Sequence, residues 1–301
     1  MSPSLVPTCP PDTGAVRACI TALRARYRFL ESVPIGRSAC GREIRALLLG
    51  HGSHTVCYTA AIHAQEWITS LLLLHLCEEL CEALRRGGTL CGISVARGLH
   101  GRSLVLIPVA NPDGVEIALH GSETAGIYAS SVCALGGDTP GLWQANARGV
   151  DLNHNFDAAW ADLHRREQEA GIVSAAPRRY GGPAPHSEPE TEALVSLCRR
   201  ADCSHLLTLH AQGEEIYWRC GEHQPPRAEM MAHILADACG YRLADPEGLA
   251  VGGGFKDWFI ETFDRPAFTV ECGRGRNPLP LSDLGPLYRR LREMLVLTAV
   301  M

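Results

Sequence analysis

Apolar residues recur at helical spacing over residues 14 to 31, which predicts a first helix. Beyond Gly36-Arg37, the run Ile44 to Leu49 reads as a strand ended by Gly50, and Thr55 to Ala60 as a second. A long amphipathic stretch from about Glu66 to Arg85 predicts a helix, with Gly87-Gly88 as its stop. Ser103 to Val109 has the continuous apolar character of a strand buried on both faces and runs into a predicted turn at Asn111-Pro112-Asp113-Gly114. From about 119 to 183 the chain is rich in Gly, Ser, Ala and Pro, with little periodicity apart from a short helix near Ala158 to Ala170. Long loops in a compact domain are uncommon unless they build a site. Ser187-Glu188-Pro189-Glu190 then opens a helix to about Arg200, with Ser187 and Glu190 spaced as a capping box. Strands at 205 to 209 and 214 to 218, helices at 227 to 239 and 255 to 263, a strand at 267 to 271 and a helix at 281 to 298 complete the pattern. Alternating strands and helices predict an α/β fold with a largely parallel sheet covered on both faces. No repeat or linker divides it, so residues 15 to 301 read as one catalytic domain behind an N-terminal extension, 1 to 14.

Composition narrows the function. No stretch approaches the roughly 20 apolar residues of a membrane span, and the first residues lack the basic-then-apolar order of a secretory signal. The thirteen cysteines are odd in number and form no C-x-x-C pair, which fits free thiols in a reducing cytoplasm. A net charge of −5 without a basic stripe argues against a nucleic-acid partner. The expected protein is soluble and cytoplasmic, with no membrane and no nucleic-acid partner.

Three chemically able residues fall at the carboxyl ends of separate predicted strands: His63, His210 and Glu271. In open α/β sheets ligands bind at that edge. His63 and Glu66 stand three residues apart where a strand turns into a helix, so both can face one site. Zinc accepts imidazole and carboxylate, and a catalytic site takes three protein ligands and leaves a fourth position open. His210 is the expected distant ligand, giving one zinc per chain. Glu271 ends a buried strand, where an isolated carboxylate is costly unless it is paired or used. A general base is one reading. Pairing with Arg274 or Arg276 is the other.

His63-Ala64-Gln65-Glu66-Trp67, Asn111-Pro112-Asp113-Gly114, Asn153-His154-Asn155-Phe156, His210 and Glu271 occur in the order and approximate spacing of the zinc carboxypeptidases, and the chain resembles that family. Within it, the resemblance is closer to bacterial γ-D-glutamyl-diaminopimelate endopeptidases. It is carried by Arg148 to Asn153, Ser187 to Thr191, His210 to Trp218, Gly254 to Phe259 and Asn277 to Pro280, and it covers the chain from about residue 15 onward. It implies a mixed central sheet of about eight strands with helices on both faces. It also implies His63, Glu66 and His210 as zinc ligands, Glu271 as base, and a peptidoglycan stem peptide as substrate.

The departures matter too. His154 stands where digestive carboxypeptidases carry the arginine that grips a terminal carboxylate. No arginine occurs between Gly114 and Arg148, so Arg148 is the expected oxyanion partner, with an ion pair to a nearby acid such as Asp151 as its alternative. Asn153, His154, Gln212 and Gly213 are the expected substrate contacts. Tyr241 is a candidate for the family's mobile tyrosine, and Asp113 is a candidate to orient a ligand histidine. The expected reaction is hydrolysis between γ-D-Glu and a diamino acid such as meso-diaminopimelate. A carboxypeptidase of other specificity, an N-acyl amino acid deacylase and a catalytically silent muropeptide-binding protein are the rivals.

Overall fold

The computed structural model describes residues 3–301. Their first segment lies against the body of the protein: Ser4 and the Leu5 amide bond to Glu78, and Val6 is buried in the core. Helix α1 (Thr13–Arg26) follows, capped by Asp12, whose side chain accepts from the Ala15 amide at 2.7 Å. The helix is shorter than its apolar spacing predicts. Residues Glu31–Arg37 form an edge strand, β1, that the sequence reading missed. Pro34 and Gly36 break its pattern, and a bulge falls between them; edge strands tolerate both residue types.

The next elements are β2 (Glu43–Leu49), β3 (His54–Thr59) and α2 (Ile68–Arg86), which stops at Gly87 in the left-handed conformation, as predicted. A small hairpin, β4 (Thr89–Leu90) and β5 (Ile93–Ser94), precedes α3 (Val95–Gly98) and β6 (Arg102–Ile107). The predicted turn at Asn111-Pro112-Asp113-Gly114 is instead the start of α4 (Pro112–His120). Asn111 caps it by accepting from the Gly114 amide, and Pro112 occupies the first turn, where no amide hydrogen is required. The aperiodic region holds α5 (Ala129–Ala134) and α6 (Trp160–Glu169).

Helix α7 (Pro189–Ala201) lacks the expected capping box. Ser187 bonds to Glu188, while Glu190 turns inward, fully buried, to accept from the Ala39 amide and the Asn146 side chain. Then come β7 (Cys203–His210), β8 (Glu215–Tyr217), α8 (Ala228–Cys239), β9 (Arg242–Leu243), α9 (Phe255–Phe263), β10 (Ala267–Glu271) and α10 (Leu284–Val300).

Eight strands form one mixed sheet in the order β1-β2-β6-β3-β7-β10-β8-β9. The central run β6-β3-β7-β10 is parallel, as alternation predicts, whereas β1, β2 and β8 enter antiparallel. Strand alternation sorts the core into two faces. Leu47, Leu49, Val56, Tyr58, Leu104, Leu106, Leu207 and Leu209 join α1, α2, α8 and α10. Ala46, Cys57, Val105, Ile107 and Leu206 join α7 and α9 on the other face. Both faces being apolar, the central strands read as continuous hydrophobic runs. Parallel pairing of β7 with β10 sets Glu271 directly beside His210.

Candidate metal centre

Between β3 and α2 the chain turns sharply, with Ala61 in the left-handed region at φ 49. Buried polar groups hold this turn. Thr69 Oγ1 accepts from the Ala61 amide at 3.0 Å and donates to the Glu66 carbonyl at 2.7 Å. Asn111 Nδ2 donates to the carbonyls of Ile62 and Ala145, each at 3.1 Å, and the Ala64 amide donates to the Gln144 carbonyl at 3.0 Å. A buried carbonyl left without a partner costs about 1–3 kcal/mol, so these bonds fix the turn as well as satisfy it. His63 and Glu66 consequently face one point, and β7 delivers His210 to it.

Glu66 Oε1 lies 3.0 Å from His63 Nδ1, and Glu66 Oε2 lies 3.1 Å from His210 Nδ1. The two Nδ1 atoms are 3.2 Å apart, and one donor atom from each residue falls in a group spanning no more than 4.8 Å. Two imidazole nitrogens and a carboxylate packed this closely need a shared proton or a cation. Tetrahedral zinc, with bonds of ~2.0–2.1 Å, separates its donors by about 3.3 Å. The residues present therefore fit that ion.

Asp151, fully buried, sits behind His63, with Oδ1 3.3 Å from its Nε2. A negative charge at that distance favours the proton on Nε2, which leaves the Nδ1 lone pair facing inward. Asp151 also accepts from Gln144 Nε2 at 2.7 Å and from the amides of Arg179 at 2.9 Å and Asn153 at 3.2 Å. Burial works to raise its carboxyl, but His154, His63 and the Arg179 amide hold it well below the usual range. Asp113 was the sequence candidate for orienting a histidine. It instead binds Ser38, the Cys40 amide and Arg42, because it belongs to the first turn of α4.

Burial also opposes the charge on Glu66, yet His63 and His210 draw its carboxyl down to about 2. His63 is pushed up: burial opposes its charge, but Glu66 and Asp151 outweigh that. Burial lowers His210. Glu271 is pushed well above the usual carboxylate range by burial and by the nearby charges of Glu66 and Glu215, with His63 opposing. It makes no ion pair among the described residues, and Arg274 pairs with Glu214 instead. A cation at the three donors would act against this upward shift by offsetting the charge of Glu66.

His63 and Glu271 line a cavity of about 540 Å³. Asn153 and His154 also line it; Asn153 Oδ1 accepts from the Phe255 amide, and His154 Nδ1 lies 2.7 Å from Glu167. Gln212 is exposed and outside the lining, and Gly213 packs behind Glu271, its amide bonded to the Gly273 carbonyl. Arg148 does not reach the cavity. Its guanidinium bonds to Tyr128 Oη at 3.2 Å and lies 3.9 Å from Glu188, so it is not placed for the oxyanion role, and its ion pair is with Glu188 rather than Asp151. Tyr241 is buried, with its hydroxyl accepting from the Gly273 amide, and is no mobile residue.

The cations that do line the cavity, Arg178, Arg179 and Lys256, escaped the sequence reading. Lys256 carried a signal: it is the sole lysine of the 301 residues. It is 4% exposed, donates to the Arg219 carbonyl at 2.6 Å and pairs with Asp257.

The family model for zinc carboxypeptidases matches residues 16–294. The chain is 34% identical over 272 residues to gamma-D-glutamyl-L-diamino acid endopeptidase 1 of Lysinibacillus sphaericus, covering 90% of this chain and 67% of that protein. Among solved structures, thrombin-activatable fibrinolysis inhibitor superposes with a TM-score of 0.76 at 19% identity, over 99% of this chain and 76% of that one. Murein-tripeptide amidase MpaA of Escherichia coli O157 superposes with a TM-score of 0.55 at 24% identity, over 89% and 91%. At those identities the structures speak for the fold. The family match spans nearly the whole chain, and with it the three converging donors find their explanation: the protein belongs to the zinc carboxypeptidase family and is a metallopeptidase.

Proposed function

We propose that the protein hydrolyses the γ-D-glutamyl–diamino acid bond, with meso-diaminopimelate as the diamino acid, of peptides derived from peptidoglycan. The observation that carries this reading is the convergence of His63, Glu66 and His210 beside Glu271 in a chain 34% identical to a γ-D-glutamyl-L-diamino acid endopeptidase. The cavity's charges support it. A stem peptide presents several carboxylates, and Arg178, Arg179 and Lys256 supply cations along the walls. His154, committed to Glu167, offers no two-pronged grip for the terminal carboxylate of an ordinary L-peptide. That favours the stem peptide over the rival general carboxypeptidase. Thirteen unpaired thiols are consistent with action in a reducing cytoplasm.

His63, Glu66 and His210 would hold the zinc, which supplies acidity to a water and polarises the scissile carbonyl. Asp151 holds His63 in the required tautomer. Glu271 takes the proton from the attacking water and returns it to the leaving amine. Arg178 and Arg179, which line the cavity and pair with no carboxylate among the described residues, would answer the charge that develops on the carbonyl oxygen.

A substrate panel tests the assignment. L-Ala-γ-D-Glu-meso-diaminopimelate, a C-terminally unblocked L-peptide and an N-acetyl amino acid are incubated with zinc-loaded protein and followed by mass spectrometry. Cleavage confined to the γ-D-glutamyl bond is expected. Turnover of either of the others with the tripeptide intact would replace this reading with a rival hydrolase.

A further inference from the structure

A second cleft, of about 480 Å³, opens between α1 and the β1–β2 hairpin. It is within the usual size of a small-molecule site. Val16 and Ile20, one helical turn apart on α1, form its apolar wall with Val109. Four guanidinium groups, from Arg17, Arg37, Arg42 and Arg45, line the rest.

Their charges are only partly answered. Arg37 and Arg45 share the single carboxylate of Glu43, at 3.3 and 2.5 Å, and Arg42 holds Asp113 at 2.7 Å. Arg17, exposed on α1, has no carboxylate partner among the described residues. Four cations therefore meet three carboxylates, Glu43, Asp113 and, near Arg42, Glu116, in a chain whose net charge is −5. Like charges gathered around a concave, partly apolar wall repel one another and focus a positive potential into the cleft. Guanidinium forks match the paired oxygens of carboxylate and phosphate groups. Nothing in the peptidase reaction uses these residues.

We propose that this cleft binds an amphipathic oxyanion, a carboxylate or phosphate carried on an apolar body, separately from the substrate. The apolar wall takes the body, Arg17 and Arg37 take the oxygens, and Arg45, whose nitrogens already bond to Ser32 and Glu43, adds only its charge.

Calorimetric titration with phenyl phosphate and with phenylacetate tests the site, with inorganic phosphate and benzyl alcohol isolating the charge and the ring. One saturable site per chain is expected, weaker for either half-probe and weakened by salt. The stronger of the two full probes identifies the oxyanion. Arg17→Glu with Arg37→Glu, both at exposed positions, should raise the dissociation constant about tenfold or more. Arg17→Gln with Arg37→Gln gives a milder change of the same direction if the reversal perturbs folding. Substitution of Lys256 by Met with Asp257 by Asn, in the catalytic cavity, should leave this binding unchanged. The proposal is overturned by the absence of saturable binding, or by binding that ignores Arg17 and Arg37 but weakens with the Lys256 variant. Tripeptide hydrolysis, measured alongside, reports on the peptidase reading independently.

Discussion

Glu271 and His210 sit side by side because β7 and β10 run parallel and in register. A base at that position explains a half-buried carboxylate with no ion pair among the described residues. Glu271→Gln keeps the shape and removes the basicity, so kcat should fall about 10²- to 10⁴-fold, with zinc content by elemental analysis unchanged. Lys256 makes a separate claim. Replacing Lys256 by Met together with Asp257 by Asn removes both charges without orphaning either. KM for the tripeptide should rise about tenfold while kcat changes little, the loss expected of one partly desolvated charge contact. A fall in kcat at constant KM would show that Lys256 does not bind substrate. Glu190 gives a pH signature away from the chemistry. Burial raises its carboxyl from 4.5 to about 7, with Asp113 adding to the rise and the Ala39 amide and Asn146 opposing it. Between those values the folded state holds more proton than the unfolded state, so stability declines as pH rises from 4.5 to about 7. The decline attributable to this group is on the order of 3 kcal/mol. Denaturant titrations at pH 4.5 and 8 should show a smaller pH dependence in Glu190→Gln; an unchanged one would contradict the assignment.

The turn between β3 and α2 is built by residues outside it. Asn111, at the head of α4, satisfies the carbonyls of Ile62 and Ala145 together. Asn111→Ala should cost about 2 kcal/mol or more in denaturant titrations and weaken zinc binding, by chelator competition, about 10- to 100-fold. Unaltered zinc affinity would show that the turn holds its shape without α4. Elements of this kind mark where the sequence was legible. His63, His210 and Glu271 stood out because each follows an apolar strand and Glu66 because it stands three residues beyond His63, and the Gly87 stop worked because a left-handed helix end favours glycine. Asn111-Pro112-Asp113-Gly114 was misread because helix starts and turns draw on the same residues. Ser187 and Glu190 have capping-box spacing, but tertiary partners claimed Glu190. Asp151 was visible only as a neighbour of Arg148, since nothing local shows that residues 88 positions apart will meet.

Across the whole molecule, strands buried on both faces made the central parallel layer readable, whereas β1 and β9 escaped because one is broken by Pro34 and Gly36 and the other spans two residues. The cavity walls are contributed by loops from distant parts of the chain, which is why Arg178 and Arg179 displaced Arg148. No helix among the described residues is long and apolar enough to cross a membrane. A metal bound only by the folded chain must stabilise it, by about 2.7 kcal/mol at a free concentration one hundred times its dissociation constant. Thermal unfolding should therefore shift upward with zinc and lose that shift in His210→Ala; equal shifts in both proteins would place the stabilising zinc elsewhere. The most direct test is to count zinc per chain and then follow L-Ala-γ-D-Glu-meso-diaminopimelate by mass spectrometry with metal-loaded and chelated protein. One zinc per chain, with L-Ala-D-Glu and free diaminopimelate released only by the loaded protein, is the predicted result. An intact tripeptide in the presence of one bound zinc, or release that survives chelation, would contradict it.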